Sequence, residues 1–133
     1  MMPVALKAFA LWLLILVLAI ANGALRESLL LGWLERSAAF TLSGAILIAC
    51  ILAVALTSIG WLGKLSVAQY ALVGAFWLLL TLAFEFSFGL LRGESLAALL
   101  DAYRFKDGNI WPIVLAVTAA APLFAAYLRG LVR

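Results

Sequence analysis

The 133-residue chain is 68% hydrophobic and only 11% charged, against roughly 45–50% and about 25% in an ordinary soluble domain. A water-exposed fold of this length has no interior large enough for that much apolar surface, and four crossings at roughly 20 residues each leave no room for a separate catalytic domain. The formal charge of +3 comes from Lys and Arg residues standing singly between apolar runs, the pattern of headgroup anchors, which argues against nucleic acid as a partner.

The expected fold is all-α: a polytopic membrane protein with four transmembrane helices in a bundle, over about 8–31, 37–62, 65–91 and 110–128, and a short amphipathic interfacial helix between the third and fourth. The whole chain, 1–133, reads as a single domain. The first apolar run goes from Ala8 to Leu25 and continues through Arg26 and Glu27 to Leu31, with Gly32 as the expected turn. Lys7 and the triplet Ala19-Ile20-Ala21 imitate a signal peptide, but the run exceeds the usual apolar region of such a leader. It is therefore read as a span.

The second run, Ser37 to Gly63, carries no charge. Thr41, Ala45, Ala49, Ala53 and Thr57 recur along it every fourth residue, a small-residue stripe that lets another helix approach closely. Packing within the bundle is the expected use, with a seam between copies as the alternative. Gly60-Trp61-Leu62-Gly63-Lys64 then demands a tight turn. The third run, Leu65 to Leu91, is interrupted only by Glu85.

Between Glu94 and Asp107, Leu96, Leu99, Leu100 and Tyr103 fall at helical spacing while Asp101, Arg104 and Lys106 take the other face, which predicts the helix lying in the headgroup plane. Asp107-Gly108-Asn109 is a turn signal. The last run, Ile110 to Leu128, has Pro112 near its first turn, where proline is tolerated, and Pro122 in its interior.

A charge inside hydrocarbon costs roughly 2.5–3.5 kcal/mol on insertion scales, so each one needs a reason. Glu85 is the sharpest case. Arg26 and Glu27 belong to the same end, Asn22 precedes Arg26 by four residues, and Thr81 precedes Glu85 by four. These five residues, Asn22, Arg26, Glu27, Thr81 and Glu85, are expected to form a polar cluster between the first and third helices, with Arg26 gripping Glu85 through two parallel hydrogen bonds. Such a pair serves either to fix helix packing or to line a pathway.

Catalytic arrangements are absent. There is no histidine to activate a serine, and Cys50 is the only cysteine, so a disulfide and the common zinc, haem and copper ligand sets are excluded. Neither a metal nor a cofactor nor an enzymatic activity is expected.

The segments Asn22-Gly23-Ala24-Leu25-Arg26-Glu27 and Ala83-Phe84-Glu85-Phe86-Ser87-Phe88-Gly89, with Asp101-Ala102-Tyr103 and Asn109-Ile110-Trp111, resemble an uncharacterised family of small bacterial four-helix membrane proteins. That resemblance implies bacterial origin, an inner (cytoplasmic) membrane location and the four-helix architecture, and no activity. An even number of crossings puts both termini on one side, read as the cytoplasmic side, although Lys and Arg are almost evenly divided and the positive-inside rule does not orient the chain. Two functions are expected. One is a non-enzymatic ion or solute transport or channel module acting as a homo-oligomer, and the other is an accessory subunit or assembly factor of a larger membrane complex.

Overall fold

The computed structural model describes residues 3–101 and 110–132, and every regular element among them is helical. Four helices are long and apolar enough to cross a membrane: α1 Val4–Trp33, α2 Arg36–Leu62, α3 Val67–Leu91 and α5 Trp111–Leu128. A short helix, α4, covers Leu96–Asp101. The expectations for Tyr103, Arg104, Lys106 and Asp107 lie outside the described residues.

Gly32 does not turn the chain. α1 runs through it, the Leu34 amide still reaching the Leu30 carbonyl at 2.8 Å, and the chain leaves helical geometry only at Leu34, with φ −122° and ψ 156°. Within α1, Arg26–Leu30 forms one π-helical turn. The Ser28 hydroxyl donates to the Ala24 carbonyl at 2.6 Å just before it, a back-bond of the kind that bends and loosens a helix. A π turn shifts the phase of everything beyond it, and such turns are frequent at functional sites.

The connection from α2 to α3 is as tight as its glycines require. α2 ends in a 3₁₀ turn, Ile59–Leu62, and Gly63 follows at φ +96°, a conformation that other residues resist. The Tyr70 hydroxyl, on a fully buried side chain, donates to the Gly63 carbonyl at 2.7 Å and accepts from the Leu65 amide at 3.1 Å. Ser66 and Gln69 form a reciprocal capping box. That Ser-x-x-Gln pattern is the start signal of the helix, and it moves the start from the expected Leu65 to Val67.

α5 packs against both α2 and α3, and α1 packs against the same two helices. Between α3 and α5 the contact is backbone to backbone: a methyl group at Gly74 would overlap the Ala119 carbonyl. Trp77 fills the centre, fully buried, its indole N–H donating to the Ala8 carbonyl at 2.9 Å. One turn along α3, Thr81 donates to the Trp77 carbonyl at 2.8 Å and accepts from the Trp12 indole at 3.0 Å, so α1 and α3 are joined twice.

The small-residue stripe Thr41, Ala45, Ala49, Ala53 and Thr57 does not pack inside the molecule: all five lie on the exposed face of α2. The inward face is Ala39, Ser43, Leu47, Ile51, Val54 and Ala55. Leu47, Ile51 and Val54 have more apolar area to bury than alanine, and they set the helix phase. In α4, Leu99 is buried against Gly89 while Leu96 and Leu100 are exposed.

Two bonds gather the N-terminal part of α1 and the C-terminal part of α5 at the α2–α3 turn. Lys7 donates to the Trp61 carbonyl at 3.0 Å, and Arg129 to the Leu56 carbonyl at 3.0 Å.

Gly74→Ala is expected to destabilise the protein by about 2–3 kcal/mol, because the added methyl meets backbone that cannot step aside. Gly32→Ala, where nothing lies within 4 Å, is expected to be neutral or stabilising by up to about 1 kcal/mol. Thermal or dodecyl-sulfate unfolding in maltoside micelles separates the two.

Candidate functional site

At the end opposite the termini, the four long helices surround a cavity of about 420 Å³. α1 contributes Asn22 and Arg26, α2 contributes Phe40 and Ser43, α3 contributes Glu85, and Trp111 stands at the start of α5. Leu47, Phe84 and Val114 complete an apolar floor. The volume falls in the range of small-molecule sites, which are mostly apolar with a few convergent polar groups.

The polar wall is a directed chain. Arg26 can only donate, and its Nη1 reaches the Ser43 hydroxyl at 3.4 Å. Ser43, buried, passes its own proton to the side-chain carbonyl of Asn22 in a short hydrogen bond. Asn22 presents its oxygen to Ser43, which leaves the amide nitrogen at the end of the chain. That nitrogen is buried and has no hydrogen-bond partner among the described residues.

Arg26 also lies over the Phe40 ring, its guanidinium carbon 4.5 Å from the centroid, and Arg36 lies 4.6 Å from the same centroid. A guanidinium over an aromatic face is attracted by the ring quadrupole. Phe40 thus attracts the Arg26 guanidinium, whose N–H groups also reach Ser43 and Glu27. Glu27 touches Arg26 Nε at 3.5 Å from a 62% exposed position, where solvent reduces the pair to a weak contact.

The expected grip of Arg26 on Glu85 is not made. Glu85 instead accepts from the Trp111 indole at 3.0 Å, and Arg26 turns to α2. The cause is local: the π-helical turn beginning at Arg26 packs against α2. Arg26 and Glu85 still face one cavity, from different walls.

Of the five residues expected to cluster, Asn22, Arg26 and Glu85 line this cavity, and Glu27 and Thr81 do not. Thr81, tied to Trp12 and Trp77, lines a second cavity of about 330 Å³ that shares Phe84, Glu85, Arg92 and Trp111 with the first. Arg92 lies over Phe88 and contacts Glu94 at 3.5 Å. The Glu85–Trp111 pair is thus a common wall between two spaces.

Sequence reading missed Ser43, Phe40, Trp111 and Arg92 as members of the site. A serine set inside a charge-free apolar run was the available signal for Ser43. Phe40 and Trp111 carry none, since an aromatic near a helix end reads as an interfacial anchor. Among the described residues no group of His, Cys, Asp and Glu side chains is arranged to hold a metal ion.

No protein-family model, no curated protein and no solved structure matches this chain. The reading of the site therefore rests on its own geometry.

Glu85→Gln keeps an acceptor for the Trp111 indole and is expected to shift stability by less than about 1 kcal/mol. Glu85→Ala orphans that donor and is expected to cost about 1–3 kcal/mol. Unfolding of both variants, with Trp111→Phe to close the cycle, gives the coupling.

Proposed function

We propose that the chain is an integral membrane protein whose four long helices cross a bilayer as a bundle, and that it serves as a non-enzymatic transport module for a small solute, assembled as a homo-oligomer. The membrane part follows from solvation. Leu72, Leu79 and Leu91 are 67%, 64% and 86% exposed on helices with no protein over them, and burying each such side chain is worth about 1.5–3 kcal/mol. Hydrocarbon is the solvent in which those faces are at rest. A bacterial inner membrane with both termini cytoplasmic is the placement we adopt.

The observation that carries the transport reading is the cavity of about 420 Å³ with Arg26, Asn22, Ser43 and Glu85 among its walls, set at one end of otherwise apolar helices. Ionisable groups in such a setting face a pathway or a cavity. The half of the molecule toward the termini is closed by Trp77, Tyr70, Ile51 and Ile59, all fully buried. One copy is therefore an open-ended vestibule and not a pore, as expected of a carrier seen from one side.

The homo-oligomer is supported by the outward stripe Thr41, Ala45, Ala49, Ala53 and Thr57, since small residues are the usual means of close helix contact in lipid. The same stripe favours the second reading, an accessory subunit docking on another protein's helix.

Native mass analysis of gently solubilised membranes is expected to find multiples of the chain alone, with Ala49→Leu returning the monomer. In proteoliposomes offered phosphate, lactate, glutamate and glycine, at least one solute is expected to move, and Glu85→Gln to slow it at least tenfold without loss of folding. No movement, together with recovery of the chain only among other polypeptides, would replace transport by the accessory role. Failure of Glu85→Gln and Arg26→Ala to fold would make the polar residues architectural.

A further inference from the structure

We infer that the cavity takes an oxyanion carried on an apolar body, with Arg26 and Asn22 as its recognition groups. The inference rests on reading the cavity as the ligand site, and it adds the ligand's chemical class.

The α1–α2 wall has donors with bonding capacity left. Arg26 spends Nε on a 3.5 Å contact to Glu27 and Nη1 on a 3.4 Å contact to Ser43, both longer than the 2.7–2.9 Å of a strong charged bond. No hydrogen bond joins its Nη2 to another described residue, and Asn22 offers a buried amide nitrogen without a partner among them. A buried donor left unmade costs about 1–3 kcal/mol, so a ligand that supplies acceptors there gains what the protein has not satisfied internally.

The two donors lie one helical turn apart on α1, on one face. Both are positioned by neighbours: Phe40 lies under the guanidinium, and Ser43 links Arg26 to the Asn22 carbonyl. A fork of parallel N–H groups matches a carboxylate or phosphate edge.

The charge balance is compatible with this. Among the described lining residues two cations, Arg26 and Arg92, stand against one carboxylate, Glu85, which accepts from the Trp111 indole, and Arg36 shares the Phe40 ring with Arg26. Phe40, Leu47, Phe84 and Val114 line the remainder, so the body attached to the oxyanion is apolar. A free organic acid and an anionic lipid both present that chemistry, and they are distinguished by experiment.

The test uses the full-length protein in maltoside micelles and reads thermal unfolding, because a ligand that binds only the folded state raises the midpoint. Benzoate represents the free acid, with benzamide as its uncharged match. Phosphatidylglycerol mixed into the micelles represents the lipid, with phosphatidylcholine as its match. Benzoate or phosphatidylglycerol is expected to raise the midpoint by several degrees where its match does not, and whichever acts identifies the source.

Asn22→Asp is the decisive variant. It retains an acceptor for Ser43 and places a carboxylate beside Arg26, so it is expected to fold and to abolish the shift. Arg26→Lys keeps the charge and loses the fork, and is expected to weaken binding at least about tenfold. Arg129→Gln, at the opposite end, is expected to leave the shift intact. The inference is overturned if neither anion outperforms its match, or if folded Asn22→Asp responds as the parent does. Binding without flux would leave this inference standing and remove the transport reading. Flux that persists in Asn22→Asp would do the reverse.

Discussion

A polar group carried on an apolar helix has to find its partner on another helix, because neither lipid nor a greasy interior offers one. That constraint organises this protein. Trp77 donates to Ala8, Trp12 to Thr81, Arg26 to Ser43, Ser43 to Asn22 and Trp111 to Glu85. Each bond joins two different helices. Together they hold α1 to α2 and α3, and α5 to α3, at heights where dispersion alone would allow the helices to slide.

The two halves of the molecule use the rule differently. Toward the termini, Trp77 and Tyr70 are fully buried and their polar atoms reach backbone carbonyls, so aromatic bulk and polar satisfaction coincide and the space is filled. Gly74 allows α5 to approach α3 until backbone meets backbone. Toward the other end, the π-helical turn at Arg26 redirects α1 onto α2. Arg26 bonds to Ser43 there, Glu85 accepts from Trp111 on α5, and the cavity lies between them.

A wall of donors with one amide nitrogen unsatisfied is a costly arrangement, and such arrangements persist where something else supplies the acceptors. On the outer face of α2 the stripe of alanines and threonines is exposed, while Leu47, Ile51 and Val54 occupy the inward face.

The sequence by itself determined the helical class, the four long apolar segments and the tight α2–α3 turn, because hydropathy over 20 residues and glycine placement are local properties. It also marked Asn22, Arg26 and Glu85 as residues needing an explanation, since a polar group in an apolar run is conspicuous wherever the run goes. Only the tertiary structure decided which partner each one takes. Arg26 and Glu85 each have several acceptors or donors within reach of an α-helix surface, and the choice depends on helix rotation. That rotation was set by a π turn invisible in composition and by the larger side chains of α2 competing with its small ones for the interior. Trp111 and Phe40 became part of the site for the same reason: position along a helix is written in the chain, and the direction a helix faces is settled by what packs against it.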